Sequence, residues 1–189
     1  MATETQSATG EFVLQTTRLR LRRFRRDDAD AVFAIIGDDR AMQYYPKTFH
    51  RRDADEWVER NLRRYADYGF GLFAVVSKDS DQVIGDCGVI RQLVEGRPQL
   101  EVGYHFRRDH WGRGYATEAA WACLAWAFDT LAAEKVISLI RPENVPSRRV
   151  AERNGMKMER EVIHAQLPHL VYAMTKEEFD SARQSAVRT

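Results

Sequence analysis

The sequence predicts an α+β fold: a single domain with one largely antiparallel mixed sheet flanked by helices. Three observations predict it. Residues 70–77, 83–93 and 100–106 carry consecutive strand patterns, joined by turn signals at Lys78-Asp79-Ser80-Asp81 and Glu95-Gly96-Arg97-Pro98. Helical periodicities stand before and after that run in mixed order. Neither a repeat nor an interdomain linker breaks the chain, and 189 residues suffice to bury a real core.

Residues 12–24 alternate Leu19 and Leu21 with Arg18, Arg20 and Arg22 and read as a first strand. Arg18, Arg20, Arg22, Arg23, Arg25 and Arg26 make a basic cluster. The acidic run Asp27-Asp28-Ala29-Asp30 directly after it favours a solvated strand face over a nucleic-acid or ribosome contact. Those aspartates supply a cap and first-turn charge to a helix that carries Ala31, Val32, Ile35 and Ile36 on its apolar side and ends at Gly37-Asp38-Asp39. An aromatic connector over 42–46 leads to a second helix, about 52–68, which turns Trp57, Val58, Leu62 and Tyr65 inward. Tyr44, Tyr45 and Trp57 either pack these helices on the sheet or line an acceptor pocket.

Gly85 and Gly88 inside the 83–93 strand mark a bulge or close packing. After the third strand come a helix over 117–130, a buried strand over 136–140 and a short helix over 147–153 ended by Asn154-Gly155. A strand pair over 156–162 and 170–174 and a small helix over 176–183 complete the chain. Residues 1–11 are polar, lack an apolar h-region and read as a loose tail, not a signal peptide. The domain is expected over 12–180, with a C-terminal tail over 181–189.

Composition narrows the function. Hydrophobic content of 44%, charged content of 30% and a net charge of +1 describe a soluble globular protein with no global field for nucleic acid or an anionic membrane. Cys87 and Cys123 sit in apolar contexts without metal or redox spacing, as reduced packing residues of a cytoplasmic protein do. The most apolar run, 119–128, is too short to span a bilayer. The exposed ends of the last strands would let two copies pair as a homodimer.

The stretch from Leu100 to Thr130 carries the chemistry. Leu100-Glu101-Val102-Gly103-Tyr104-His105-Phe106 alternates as a strand, and a charged connector leads into Trp111-Gly112-Arg113-Gly114-Tyr115-Ala116-Thr117-Glu118. Ala120, Leu124, Ala127, Phe128 and Leu131 then recur at helical spacing. Strand, glycine loop and helix start in that order suit a phosphate, because loop and first-turn amides lack partners inside the helix and its dipole favours an anion. A tight turn alone would leave the same pattern. It is no P-loop, since no Gly-Lys-Ser/Thr follows, and the Rossmann spacing fails for want of a third glycine.

Tyr104 to Ala120, Arg141-Pro142-Glu143-Asn144-Val145-Pro146-Ser147 and Ala151-Glu152-Arg153-Asn154-Gly155-Met156 together resemble the acetyl-CoA site of the GNAT N-acetyltransferase superfamily. They look most like its RimJ/RimL-like branch, the ribosomal-protein N-terminal acetyltransferases. Leu14 to Arg22 fits the same branch, so the resemblance covers roughly residues 12–180.

The resemblance implies a GNAT domain, acetyl-CoA as co-substrate and an amine acceptor. The amides from Trp111 to Thr117, thus Trp111, Gly112, Arg113, Gly114, Tyr115, Ala116 and Thr117, are expected to hold the pyrophosphate, with charge from Arg113. Trp111 stands where the wider family has Gln or Arg, so its contact is a backbone amide, its ring a packing anchor, or both. The oxyanion donor is expected among the main-chain amides of Tyr104, His105 and Phe106, on a strand that pairs with the pantetheine arm. Many relatives use a tyrosine acid where this chain has Ala151. Ser147 takes that place in the branch and would bond the departing sulfur, or it only caps its helix. Asn144 would hold cofactor or water, or shape the turn with Pro146. Glu101 would accept the amine's proton, or lie paired with an arginine. His105 shares its strand face and has a suitable ordinary pKa, His110 sits in the loop, and Glu118 reads as a capping or dipole residue.

The leading expectation is direct acetyl transfer in a ternary complex, since no cysteine lies in either motif. The acceptor is a protein N-terminus or a small amine such as a polyamine, amino sugar or antibiotic; the many arginines between Tyr44 and Tyr68 disfavour a polycation. A non-catalytic acyl-CoA-binding regulatory module is the rival, and a nucleic-acid-binding domain ranks last because aromatics are not interleaved with its arginines. No metal site is expected.

Overall fold

The computed structural model describes residues 12–45 and 47–187. The tail expected over 1–11 and Pro46 of the aromatic connector lie outside the described residues. Eight described strands form one sheet in the order β1-β2-β3-β4-β5-β6-β8-β7, where β1 is Phe12–Gln15, β2 Leu19–Arg22, β3 Leu72–Ser77, β4 Val83–Val94, β5 Arg97–Phe106, β6 Lys135–Ile140, β7 Lys157–His164 and β8 Leu167–Thr175. The helices are α1 Ala29–Ile36, α2 Arg51–Tyr68, α3 Tyr115–Asp129, α4 Val145–Arg153 and α5 Lys176–Val187. All neighbouring strands run antiparallel except β5 and β6.

Three expectations shift. The single strand over 12–24 is a hairpin: the Thr16 amide donates to the Leu19 carbonyl at 2.9 Å, closing a turn that contains no Gly, Pro or Asn to announce it. Asp28 stands at the N-cap of α1 but its carboxylate bonds no α1 amide; it reaches back instead to cap a 3-10 turn over Arg26–Asp28. It accepts both Arg22 guanidinium hydrogens at 2.7 Å and the Arg25 amide at 2.7 Å, a bidentate pair in a mostly buried setting. The terminal helix continues to Val187, beyond residue 183 and into the stretch expected as a tail.

The basic cluster faces acids of its own chain. Arg18 pairs with Glu118, Arg20 with Asp81, Arg22 with Asp28 and Arg26 with Glu59, while Arg23 donates to the Gly69 carbonyl at 3.1 Å.

β4 and β5 form the central hairpin, turned by Glu95 and Gly96, both with positive φ (50° and 76°). Successive residues of β4 face opposite ways. Asp86 meets Trp57 of α2 on one face; Cys87 meets Cys123 of α3 on the other, with its sulfur 3.5 Å away. Phe179 of α5 is fully buried against Trp121 and Phe128 of α3. The sheet is thus covered on both sides, which is why β3 is buried along its whole length.

Gly88 marks a close approach. A Cβ there would lie 2.2 Å from the Gly71 carbonyl oxygen and 2.7 Å from the Leu72 Cα, both backbone atoms that cannot rotate away. Gly88→Ala should therefore destabilise the protein by about 2–3 kcal/mol, as overpacking does. Urea denaturation measures this, and a midpoint unchanged from the parent's would refute it.

Candidate active site

β5 and β6 begin as neighbours and then part. Among the described residues they share one register pair, Glu101 with Ile137, and past it side chains bridge from β5 to β6 and α4. The Ser138 hydroxyl donates to the Val102 carbonyl at 3.1 Å, and the Tyr104 hydroxyl donates to the Ser147 carbonyl at 2.9 Å. The fork opens into a cavity of about 590 Å³, lined by Glu101, Gly103 to Phe106, the loop 110–117 except Arg113, and Asn144, Pro146 and Ser147 at the start of α4.

Glu101 sits in the fork, 8% exposed. One carboxylate oxygen accepts the Leu139 amide at 3.3 Å and the other accepts the Gln92 side-chain amide at 3.1 Å. Both donors are neutral, so the alternative of an arginine-paired carboxylate is not what the fork holds. Burial pushes its carboxyl up to about 7, against those two hydrogen bonds and the nearby charge of His105.

The loop presents a row of unoccupied donors. Main-chain N–H groups of Gly112, Arg113, Gly114, Tyr115, Ala116 and Thr117 have no acceptor among the described residues; the first one bonded is Glu118, to the Gly114 carbonyl at 3.0 Å. Gly112 and Gly114 hold φ of 74° and 79°, which lets the loop enter α3 without a capping side chain. The Thr117 hydroxyl and His110 Nδ1 are buried without partners and line or border the same space. A polyanion with many acceptor oxygens fits this donor set, and so the residues present suit the pyrophosphate of a coenzyme A thioester.

One expected donor is missing. The Trp111 amide donates to the Arg108 carbonyl at 3.1 Å, because a 3-10 turn over Arg108–His110 ends on it. Its indole N–H donates to the Phe106 carbonyl at 2.8 Å, so Trp111 is an anchor of the loop. Glu118 lies in the first turn of α3, where its charge suits the helix dipole, but its hydrogen bonds leave the helix. It accepts from the Thr16 hydroxyl, the Arg18 amide at 2.9 Å and the Arg18 guanidinium at 2.6 Å, and Arg18 also donates to the Arg113 carbonyl at 2.8 Å. The β1–β2 turn thereby grips the glycine loop from behind, a link between residues about a hundred positions apart.

The helix cap of α4 is Asn144, whose side-chain oxygen accepts the Ser147 amide at 3.2 Å. Ser147 is therefore inside the first turn and not the cap. Its hydroxyl has no partner among the described residues and lines the cavity. Ala151, where relatives carry a tyrosine, is buried. Tyr104 does not replace that acid: its O–H is committed to the Ser147 carbonyl, and burial raises the phenol far above its ordinary value despite that bond.

Sequence reasoning missed Asp86. It is fully buried, with one oxygen accepting Trp57 Nε1–H at 3.0 Å and the other 2.7 Å from His105 Nδ1. His105 Nε2 lies 2.5 Å from the Tyr45 hydroxyl. Burial opposes charge on the imidazole, yet the Tyr45 oxygen and the Asp86 carboxylate outweigh it and raise its pKa to about 10. His105 is then an imidazolium at neutral pH and no proton acceptor. The signal was present in the sequence: an aspartate inside an apolar strand needs a buried partner. Tyr45 and Trp57 both border the cavity, and Tyr44 does too.

The arrangement accords with what is known of other chains. Residues 18–157 match the family model described as an acetyltransferase (GNAT) domain. The uncharacterised Bacillus subtilis protein YkkB is 38% identical over 160 residues, 84% of this chain and 93% of its own. The B. subtilis N-acetyltransferase YnaD is 33% identical over 147 residues, 77% of this chain and 83% of its own. The crystal structure of a GNAT-family acetyltransferase from Bacillus anthracis superposes with a TM-score of 0.74 at 28% identity, covering 88% of this chain and 99% of that one. RimL, a ribosomal-protein acetyltransferase solved in complex with coenzyme A, shares the fold at a TM-score of 0.70 and 16% identity, over 87% and 98% of the two chains. This chain belongs to the GNAT acetyltransferase family and is a GNAT-type N-acetyltransferase.

Proposed function

We propose that the protein moves the acetyl group of acetyl-CoA to a primary amine by direct attack within a ternary complex, with a protein N-terminus as acceptor, as in the RimJ/RimL-like branch. The observation that carries the reading is the fork itself. One buried carboxylate stands where two strands part, facing a loop with six free amides.

Acetyl-CoA supplies an activated thioester carbonyl. The amides of Gly112 to Thr117 and the Thr117 hydroxyl hold its pyrophosphate. The unpaired edge of β5 at Tyr104–Phe106 offers main-chain N–H groups to the carbonyl oxygen as negative charge develops there. Glu101, ionised above about pH 7, accepts a proton from the incoming ammonium so that the nitrogen lone pair is free. The new N–C bond forms as the C–S bond breaks, the second proton that the nitrogen sheds passes to the departing sulfur, and the Ser147 hydroxyl hydrogen-bonds that sulfur as it leaves. Cys87 and Cys123 are buried between sheet and α3, and burial raises the Cys87 thiol, so neither suits an acetyl-enzyme route. Free thiols also suit a protein acting in the cytoplasm.

The test is thiol release from acetyl-CoA against peptides with free Ser, Ala and Met N-termini, polyamines and aminoglycosides. Turnover on peptides is expected. Gly114→Trp should abolish it, since the side chain would be forced into positive φ at the centre of the donor row. Turnover on a small amine alone would keep the chemistry and move the acceptor. Tight acetyl-CoA binding without release on any acceptor would favour the non-catalytic module.

A further inference from the structure

Trp57 of α2 borders the acceptor side of the cavity, and arginines follow it on the same stripe of that helix. Arg60 and Arg64 lie three and seven residues on, the spacing of one helical stripe. The Arg60 guanidinium lies 5.0 Å over the Trp57 ring. Arg64 donates to the Asn61 side-chain oxygen at 3.2 Å, and that same oxygen accepts the amide of Leu72, a cavity residue, at 3.0 Å. Both guanidiniums are thus tied to groups that build the cavity wall.

Neither has a carboxylate within ion-pair distance among the described residues, in contrast to their neighbour Arg51, which holds both Asp30 and Asp55 at 2.8 Å. Crowding by protein lowers the pKa of both; the carboxylates that act on Arg60 are Glu56, one turn earlier on α2, then Asp86 and Asp53, and those that act on Arg64 are Glu101 and Asp86. Glu101 and Asp86 do little to offset the pair. Asp86 is already matched by His105, and Glu101 holds a proton up to about pH 7. The other polar groups around this end, Gln43, Tyr44, Tyr45 and Gln92, are neutral. Two guanidiniums therefore stand outside any ion pair among the described residues, and Arg64 is near enough to act on Glu101, the carboxylate that must receive an amine.

An acceptor that is only a cation would be repelled there. A guanidinium pair matches a planar carboxylate or a phosphate, with donors in a fixed fork. We propose that the acceptor is an amine carrying an acidic group, a carboxylate or a phosphate, a few bonds from its nitrogen, and that Arg60 and Arg64 of α2 bind that group. This rests on the acetyltransferase reading above. For a peptide acceptor it means an acidic residue directly after the N-terminal one.

The test compares matched acceptors that differ in charge alone: peptides beginning Ser-Asp and Ser-Asn, and an amino acid, an aminoalkyl phosphate and the corresponding amino alcohol. kcat/KM is measured for each pair with the parent protein and with the Arg60→Gln/Arg64→Gln double variant. Binding of the same probes to protein loaded with coenzyme A is followed by calorimetry. The acidic member should be favoured about tenfold or more, the ratio that ~1.4 kcal/mol gives. The ratio should shrink with added salt and collapse toward one in the double variant. The carboxylate and phosphate arms tell which anion is preferred. If the double variant fails to fold, the exposed Arg60→Gln alone should still lower the ratio.

Equal rates for acidic and neutral members, or a preference that survives the substitutions, would overturn the proposal while leaving acetyl transfer intact. Charge preference in binding without transfer on any probe would support the anion site and sink the transfer reading instead.

Discussion

Glu101→Gln lowers kcat by a hundredfold or more and at the same time makes the folded protein more stable above neutral pH. The first effect is the loss of a positioned base, which contributes about 10²–10⁴ in rate. The second follows from linkage. The carboxyl is raised to about 7 in the folded protein, so between the ordinary carboxylate range and pH 7 the folded state binds more protons than the unfolded one. Wild-type stability falls across that window, and the burial of an ionised group persists as a penalty above it. The glutamine carries no such penalty, and the gain should reach about 3 kcal/mol at pH 8, vanishing near pH 4. Rate profiles complete the test: kcat/KM should rise with pH through about 7 in the parent. A glutamine variant with parental kcat would remove Glu101 from the chemistry.

Asp86 carries the second large effect. Its two oxygens serve the Trp57 indole and the His105 ring, and it is fully buried. Asp86→Ala leaves a buried imidazolium and a buried indole N–H without an acceptor, and the expected loss is about 3–5 kcal/mol. Asp86→Asn keeps the shape and removes the charge, so the His105 pKa should drop from about 10 toward its ordinary value. Proton NMR titration of the imidazole reads this directly. The stability that His105 contributes is fully present below its unfolded pKa and is lost as pH rises through about 10. In the asparagine variant that loss should begin at lower pH and be smaller. An imidazole titrating near 6.5 in the parent protein would dissolve the ion pair. Because Tyr45 is bonded to the same ring, both substitutions should also loosen the edge of the cavity that Tyr45 forms.

How much of this was legible beforehand depends on the range of each interaction. The glycine loop and the start of α3 are written within eight consecutive residues, and the structure begins the helix at Tyr115, two residues before the expected Thr117. Glu101 was readable as a candidate because strand alternation put it on the face of Gly103 and His105. That its oxygens meet only neutral donors was not, since Leu139 lies 38 positions away and comes near only where β6 meets β5. Of the two readings open for Ser147, a partner for the departing sulfur or a helix cap, the cap is removed because Asn144 three residues earlier takes that role and accepts its amide. The Trp111 amide was expected to be free, and a 3-10 turn too short to leave a periodicity had already engaged it.

By itself, then, the sequence determined the α+β class, the order of the elements after the first hairpin and the glycine loop that opens α3, because each rests on local periodicity, turn chemistry or adjacent glycines. Only the tertiary structure decided which charges are free. Arg18 finds Glu118, Asp86 finds His105, and Arg60 and Arg64 have acids in range but none within ion-pair distance among the described residues. Such pairings depend on which strands and helices lie side by side. Burial then sets what each charge can do, and spacing along the chain contains neither quantity.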